Sequence, residues 1–325
     1  MKSFSFYAPL ITLALVAGTA ANVSAQEWKP ASPVRVVVPY PPGGGTDVVA
    51  RLMTTIVGDG MGQPMIIDNR PGANGVIGAN TVYSAKGDGQ TLLFGVSDII
   101  STTPHVNKKA VTFNPDGFSG VAPVATGGYV LISRKDHKTT DLVSLVSSAK
   151  VKGAHYTYAH WGAGSMGQMA MEMLKLKAGI PDMLAVPYPG SAATVNAVLS
   201  GQVDYAFVPP GLAAANEATL RLYAISSQAR IPLLKDLPTL KERGYDVTAE
   251  TWYGVVAPPG TPKNVVDSLN KSINKAIGTP SFATRLTDLG YTPMTTDATT
   301  FEDYIKVENK LWGQVVSAAQ LKVEQ

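Results

Sequence analysis

The chain contains no cysteine. No disulfide braces it, no thiolate holds a metal, and no N-terminal cysteine carries a lipid. Histidine is scarce, with four in 325 residues: His105, His137, His155 and His160. His155 and His160 are five apart on a strand-like segment, so they face opposite sides of it and do not chelate one metal together. Charge is sparse as well, at 16% of residues with a formal net of +3. Lys and Arg are scattered, with no basic stripe interleaved with aromatics, which argues against nucleic acid. The acids Asp47, Asp204 and Glu250 stand in separate elements. Nothing pairs two carboxylates for acid–base chemistry, and each reads as a cap or turn partner. Beyond the N-terminus no run is long and apolar enough to span a bilayer.

The N-terminal stretch reads as a leader. Lys2 supplies a positive charge, Phe4 to Ala21 is apolar, and Val23-Ser24-Ala25 fits a small-residue cleavage site. Residues 1–25 are expected to be a signal peptide, with Gln26 as the mature start and the product exported.

The stretch Pro33-Val34-Arg35-Val36-Val37-Val38-Pro39-Tyr40-Pro41-Pro42-Gly43-Gly44-Gly45-Thr46-Asp47 organises the mature chain. Val34 to Val38 suits a buried parallel strand. Pro41 and Pro42 stop it. Three glycines then let the backbone come close to whatever lies above. Thr46 or Asp47 is expected to cap a helix with Val48 or Val49, Leu52, Ile56 and Val57 on its apolar face. Free N–H groups at such a helix start favour an anion. No Gly-Lys-Ser/Thr comes after the glycines, so this is not a P-loop.

The pattern continues as alternating strands and helices. Gln63 to Asp68 reads as a strand, Asn74 or Gly75 opens a helix with Ile77 and Val82 on one side, and Thr91 to Phe94 is a third strand. This spacing predicts an α/β layered sheet with right-handed crossovers. Ser97 falls beyond the third strand's C-terminal end, where ligands sit in open α/β sheets. Val121 to Ile132 is expected to cross into a second domain. There Thr140–Ser148, Gln168–Ala178 and Ala192–Leu199 read as helices, and Thr157–Ala159, Met183–Val186, Gly201–Phe207 and Arg221–Ser226 as strands or turn-and-strand units. Thr251 to Ala257 is expected to cross back, followed by helices over Lys263–Ile277 and Thr299–Ala319. The expected division is domain I at 26–125 and 250–325, and domain II at 126–249.

Two motifs compete over Gly162-Ala163-Gly164-Ser165-Met166-Gly167. It matches G-x-G-x-x-G, but the acidic residue twenty on, Asp182, precedes the next strand instead of ending it. It also nearly fits G-x-S-x-G, which would make Ser165 the nucleophile of an exported serine hydrolase. All four histidines precede Ser165, against the order of α/β-hydrolases. Ser165 reads better as a hydroxyl beside free N–H groups at a helix start.

The Val38 to Asp47 stretch carries a resemblance, together with Asn69-Arg70-Pro71-Gly72-Ala73, Gly87-Asp88-Gly89 and Val186-Pro187-Tyr188 with Gly190-Ser191. Gly201-Gln202-Val203-Asp204, Leu237-Pro238-Thr239 and Trp252-Tyr253-Gly254 carry it further. From about Pro33 to Ala319 the chain resembles the periplasmic solute-binding proteins of tripartite tricarboxylate transporters, the Bug family. The resemblance implies a two-domain Venus-flytrap fold, type II-like, with two crossing hinge strands. It implies capture of a small organic carboxylate, delivery to membrane permease subunits, no catalysis and no cofactor; a monomer is expected. It points to Tyr40, Gly43, Gly44, Thr46 and Asp47 in the first domain, and to Gly164, Ser165, Tyr188, Gly190, Ser191, Ala192 and Asp204 in the second. Two places depart from the family pattern: His160-Trp161 before Ser165, and Pro209-Pro210 after Phe207. His160 and Trp161 suggest an aromatic carboxylate as ligand, the indole offering a stacking face and the imidazole a hydrogen bond. The bland reading is that Trp161 packs in the core and His160 caps a turn.

Overall fold

The computed structural model describes residue 1, residues 28–180 and residues 183–318. Residues 2–25 of the expected leader, its cleavage point and Asp182 lie outside the described residues. Among the described residues no helix is long and apolar enough to cross a membrane.

The first lobe is built by β1 (Val34–Val38), α1 (Gly45–Met61), β2 (Met65–Asn69), α2 (Val76–Tyr83), β3 (Thr91–Val96), the short α3 (Thr103–Val106) and β4 (Ser119–Gly128). The second lobe contains β5 (Val130–Arg134), α4 (Leu142–Ala149), β6 (Thr157–His160), α5 (Met166–Ala178), β7 (Leu184–Pro187), α6 (Ser191–Leu199), β8 (Tyr205–Val208), α7 (Pro210–Ala215) and β9 (Leu220–Ile225). The chain then returns with β10 (Glu250–Ala257), α8 (Lys263–Ile277), α9 (Pro280–Asp288), β11 (Thr292–Pro293) and α10 (Ala298–Ala318). One sheet has the order β11-β4-β10-β3-β1-β2 and the other β7-β6-β8-β5-β9. This is the expected α/β fold of two lobes.

β1 pairs in parallel with both β2 and β3. Val34, Val36, Val37 and Val38 are fully buried, as a doubly covered strand requires. The one charge in the run, Arg35, forms an ion pair with Asp68. α1 begins one residue before the expected cap, at Gly45 after Gly44, and Asp47 sits in its first turn. Its buried stripe is Val49, Ala50, Met53 and Val57, with Leu52 and Ile56 half-buried beside it. The stripe is therefore rotated by about one position from the expected one, because Ala50 and Met53 pack where the larger Leu52 and Ile56 were assigned. Ile77 is likewise a correction. It is half exposed, and Val76, Ala79 and Val82 form the inner side of α2.

The crossing lies at Gly127-Gly128-Tyr129. β4 and β10 are antiparallel partners, with Glu250 opposite Gly128. Tyr129 N donates to Ser226 Oγ at 2.9 Å, Ser226 N donates to Tyr129 O at 2.9 Å, and Ala249 N donates to Ser226 O at 3.0 Å. The outgoing strand and the returning segment are thus laced side by side. A Cβ on Gly128 would lie 2.5 Å from Ser227 N, which is why no side chain stands there.

Candidate functional site

The first-lobe loop is held by its own acid. Asp47 Oδ2 accepts from Gly43 N at 3.0 Å and from Arg51 Nε at 2.8 Å, and Oδ1 accepts from Asn69 Nδ2 at 2.9 Å. Burial pushes this carboxyl up, but the Arg51, Asn69 and Gly43 donors outweigh it and hold it below the usual carboxylate range. Asp47 therefore shapes the glycine turn and spends its oxygens doing so. Gly44, the N-cap of α1, offers no side chain to the first N–H groups of that helix. Those groups have no intrahelical acceptor. Gly190 plays the same part for α6.

The two helix starts face each other across the cleft. A Cβ on Gly44 would lie 3.1 Å from Ser191 Oγ, and one on Gly190 would lie 3.2 Å from Pro41 Cδ. Between them is a cavity of about 30 Å³. Its walls include Tyr40, Gly44, Thr46, Asp98, Tyr129 and Trp161, with Ser191, Ala192, Pro209 and Tyr253 completing them. No Lys, Arg or His is among its lining residues. Burial raises the phenols of Tyr40, Tyr129 and Tyr253 well above the ordinary tyrosine value, so they stay protonated donors.

The lobes also touch directly. Asp98 Oδ2 accepts from Trp161 Nε1 at 2.8 Å and from Met166 N at 2.9 Å. Asn74 Nδ2 donates to Ala163 O at 3.2 Å, and Thr102 Oγ1 donates to Gly164 O. The two lobes are thus in direct contact beside the cavity.

Of the residues expected at the site, Tyr40, Gly44, Thr46, Trp161, Gly190, Ser191 and Ala192 line this cavity. Gly43 and Asp47 stand behind it in the loop. Gly164 and Ser165 sit at the lobe contact. Ser165 Oγ is buried with no hydrogen-bond partner, and so forms no Ser–His pair. His160 lies at the end of β6, its Nδ1 bonded within the turn to Gly162. Tyr188 Oη reaches Gln202, and Asp204 accepts from Thr157 N and Oγ1. Both are off the cavity. Ser97 is fully buried on the other side, donating to Glu308 Oε1 at 3.0 Å and accepting from Trp252 N at 3.0 Å. Of the two departures from the family pattern, Trp161 and Pro209 line the cavity, while His160 and Pro210 do not.

Sequence reasoning misses Asp98, Tyr129 and Tyr253. The first is one residue away, since the strand-end rule selects Ser97, and the backbone turns directly after it into Asp98–Thr102. Tyr129 comes directly after the crossing glycines, a signal that in the sequence reads only as a hinge.

Residues 49–321 match the model of the tripartite tricarboxylate transporter family receptor. The protein BugT of Bordetella pertussis is 31% identical over 316 residues, which is 95% of both chains. The solved periplasmic binding protein BugD is 30% identical with a TM-score of 0.84, covering 90% of this chain and 99% of that one. MatC of Rhodopseudomonas palustris, solved with bound malate, is 31% identical with a TM-score of 0.83, covering 88% of this chain and 99% of MatC. A further R. palustris protein, solved with adipate, is 29% identical with a TM-score of 0.85, covering 90% of this chain and 98% of that one. The chain therefore belongs to the tripartite tricarboxylate transporter receptor family, a family of solute-binding receptors and not of enzymes.

Proposed function

We propose that this protein captures a small organic carboxylate in the cleft between its lobes and hands it to the membrane permease of a tripartite tricarboxylate-type transporter. The observation that carries this reading is the opposition of two uncapped helix starts, Gly44–Gly45 of α1 and Gly190–Ser191 of α6, across one cavity. Both direct unpaired N–H groups and positive dipole ends inward, which suits an anion where no cationic side chain stands. The malate and adipate bound to relatives of the same fold support the same chemistry. The aromatic wall of Tyr40, Tyr129, Trp161 and Tyr253 favours a solute with a ring and at least one carboxylate, by offset stacking. The site we assign comprises Tyr40, Gly44, Thr46, Trp161, Gly190, Ser191 and Ala192 of the expected residues, together with Asp98, Tyr129 and Tyr253. Domain I at 26–125 and 250–325 closes on domain II at 126–249. The working compartment is the periplasm, with residues 1–25 removed on export.

A thermal-shift screen against mono-, di- and tricarboxylates, aromatic ones included, tests this reading. The melting temperature should rise with acid concentration, because the ligand stabilises only the folded state. Ser191→Ala should then weaken the best acid by roughly ten- to a hundredfold, the worth of one charge-assisted hydrogen bond. A screen in which no carboxylate shifts the transition would refute the proposal.

A further inference from the structure

Asp98 is the one carboxyl among the residues lining the cavity, and it is 1% exposed. It lies just past the C-terminal end of β3, in the first lobe. Its Oδ2 is fully engaged by the second lobe, through Trp161 Nε1 and Met166 N. Its Oδ1 is buried and has no hydrogen-bond partner. The Tyr40 hydroxyl is turned away, its Oη donating to Asn74 Oδ1 at 3.0 Å. The Thr251 hydroxyl lies beside the Asp98 carboxyl and lowers its pKa, while its Oγ1 donates to Trp252 O at 3.3 Å. The titratable groups acting with Asp98 across the cavity are the phenols of Tyr40 and Tyr129, and no cation is among its partners.

An unpaired, desolvated carboxylate oxygen is costly unless something donates to it. In this cavity the remaining donor can come from the solute. The same small space thus presents two ends of opposite sign: helix starts for an anion, and Asp98 for a hydrogen-bond donor. We propose that the solute carries a protonated amine beside its carboxylate, and that Asp98 Oδ1 accepts the ammonium. This rests on the carboxylate reading above and specifies its substrate class. A solute with a second carboxylate in that place would meet a like charge. A donor-free acid would leave Oδ1 unpaired. A hydroxyl satisfies the hydrogen bond without the charge, so the order is ammonium, then hydroxyl, then hydrogen. Because Oδ2 bridges to the second lobe, the contact also couples recognition of the amine to closure. Burial lifts the Asp98 carboxyl to about 6, so it is the anion at neutral pH and is lost as a partner in mild acid.

Titration calorimetry with two matched series tests this. One is 3-phenylpropanoate, 3-phenyllactate and phenylalanine. The other is succinate, malate and aspartate. Within whichever series binds, the amine-bearing acid should bind about ten- to a hundredfold more tightly than the donor-free acid at pH 7.5. That lead should shrink by pH 5, and Asp98→Asn should abolish it, with the donor-free acid gaining. Equal or tighter binding of the donor-free acid would overturn the amine while leaving the carboxylate reading in place. Binding of none of the six acids, while another carboxylate raises the melting temperature, would overturn the amine alone; no response to any carboxylate would overturn both. An amine preference that survives in Asp98→Asn, or a preference independent of pH in the parent protein where that variant does not fold, would remove Asp98 from the role.

Discussion

At the residue scale the acids divide by what surrounds them. Asp47 is surrounded by donors that hold it below the usual carboxylate range, so the stability it adds is present above the unfolded carboxyl value and fades as pH falls below it. Asp98 is the reverse case. Desolvation raises it to about 6, against an unfolded value of about 3.9. The native chain holds a proton there that the unfolded chain has released, so stability falls as pH rises from about 4 to about 6. The two-unit difference corresponds to roughly 3 kcal/mol at most. Asp98→Asn keeps an acceptor for Trp161 and Met166 and has no charge to desolvate. In denaturant titrations without solute, the variant should therefore gain on the parent at pH 7.5 and lose that gain at pH 4. An equal difference at both pH values would show that Asp98 does not titrate in this window. Glu308, also raised by burial and bound by Ser101, Trp252 and Ser97, is common to both proteins and cancels in the comparison.

At the scale of elements, glycine marks where backbone approaches backbone. Gly128 ends β4 at the crossing, where any Cβ would press on the main chain of Ser227. Its neighbours are themselves tied by Ser226 to Tyr129 and Ala249, so neither side can give way cheaply. Gly128→Ala should cost about 1–3 kcal/mol, the range for overpacking a close contact. The check is the denaturation midpoint, and an unchanged midpoint would mean that the crossing is looser than its hydrogen bonds imply. The elements themselves are largely legible in the sequence. β1 and α8 have the expected bounds, and α10 differs from expectation only at its ends. The helices over Pro210–Ala215 and Pro280–Asp288 escape sequence reasoning, because each begins at a proline, which reads as a turn.

At the scale of the whole molecule, the cavity is too small for the solutes that its chemistry suits. About 30 Å³ holds roughly two waters. A dicarboxylate or an aromatic acid can enter only if the lobes part, and the two laced segments at Tyr129 and Ser226 are where they can pivot. Small-angle scattering should show a smaller radius of gyration with a saturating acid than without one. The same radius in both samples would count against a moving cleft. Parting must break the hydrogen bonds from Trp161 and Met166 to Asp98, so Asp98→Ala, which removes their acceptor, should shift the solute-free protein toward its larger radius.

The sequence alone determined the alternation of strands and helices, the two glycine turns that start α1 and α6, and the family they identify. Those features rest on local chemistry: β-branched runs, prolines that end strands, and glycines that no other residue replaces in a tight turn. Only the tertiary structure decided which residues meet across the cleft. Ser97 and Asp98 are adjacent in the chain, yet one is buried against Glu308 and the other lines the cavity. Trp161 reads as a stacking surface in the sequence, and in the fold its indole N–H is committed to an acid 63 positions away. Strand periodicity fixes a side chain's face only while the strand lasts. Past the end of β3 the direction of Asp98 depends on the lobe that closes over it, and no local pattern encodes that.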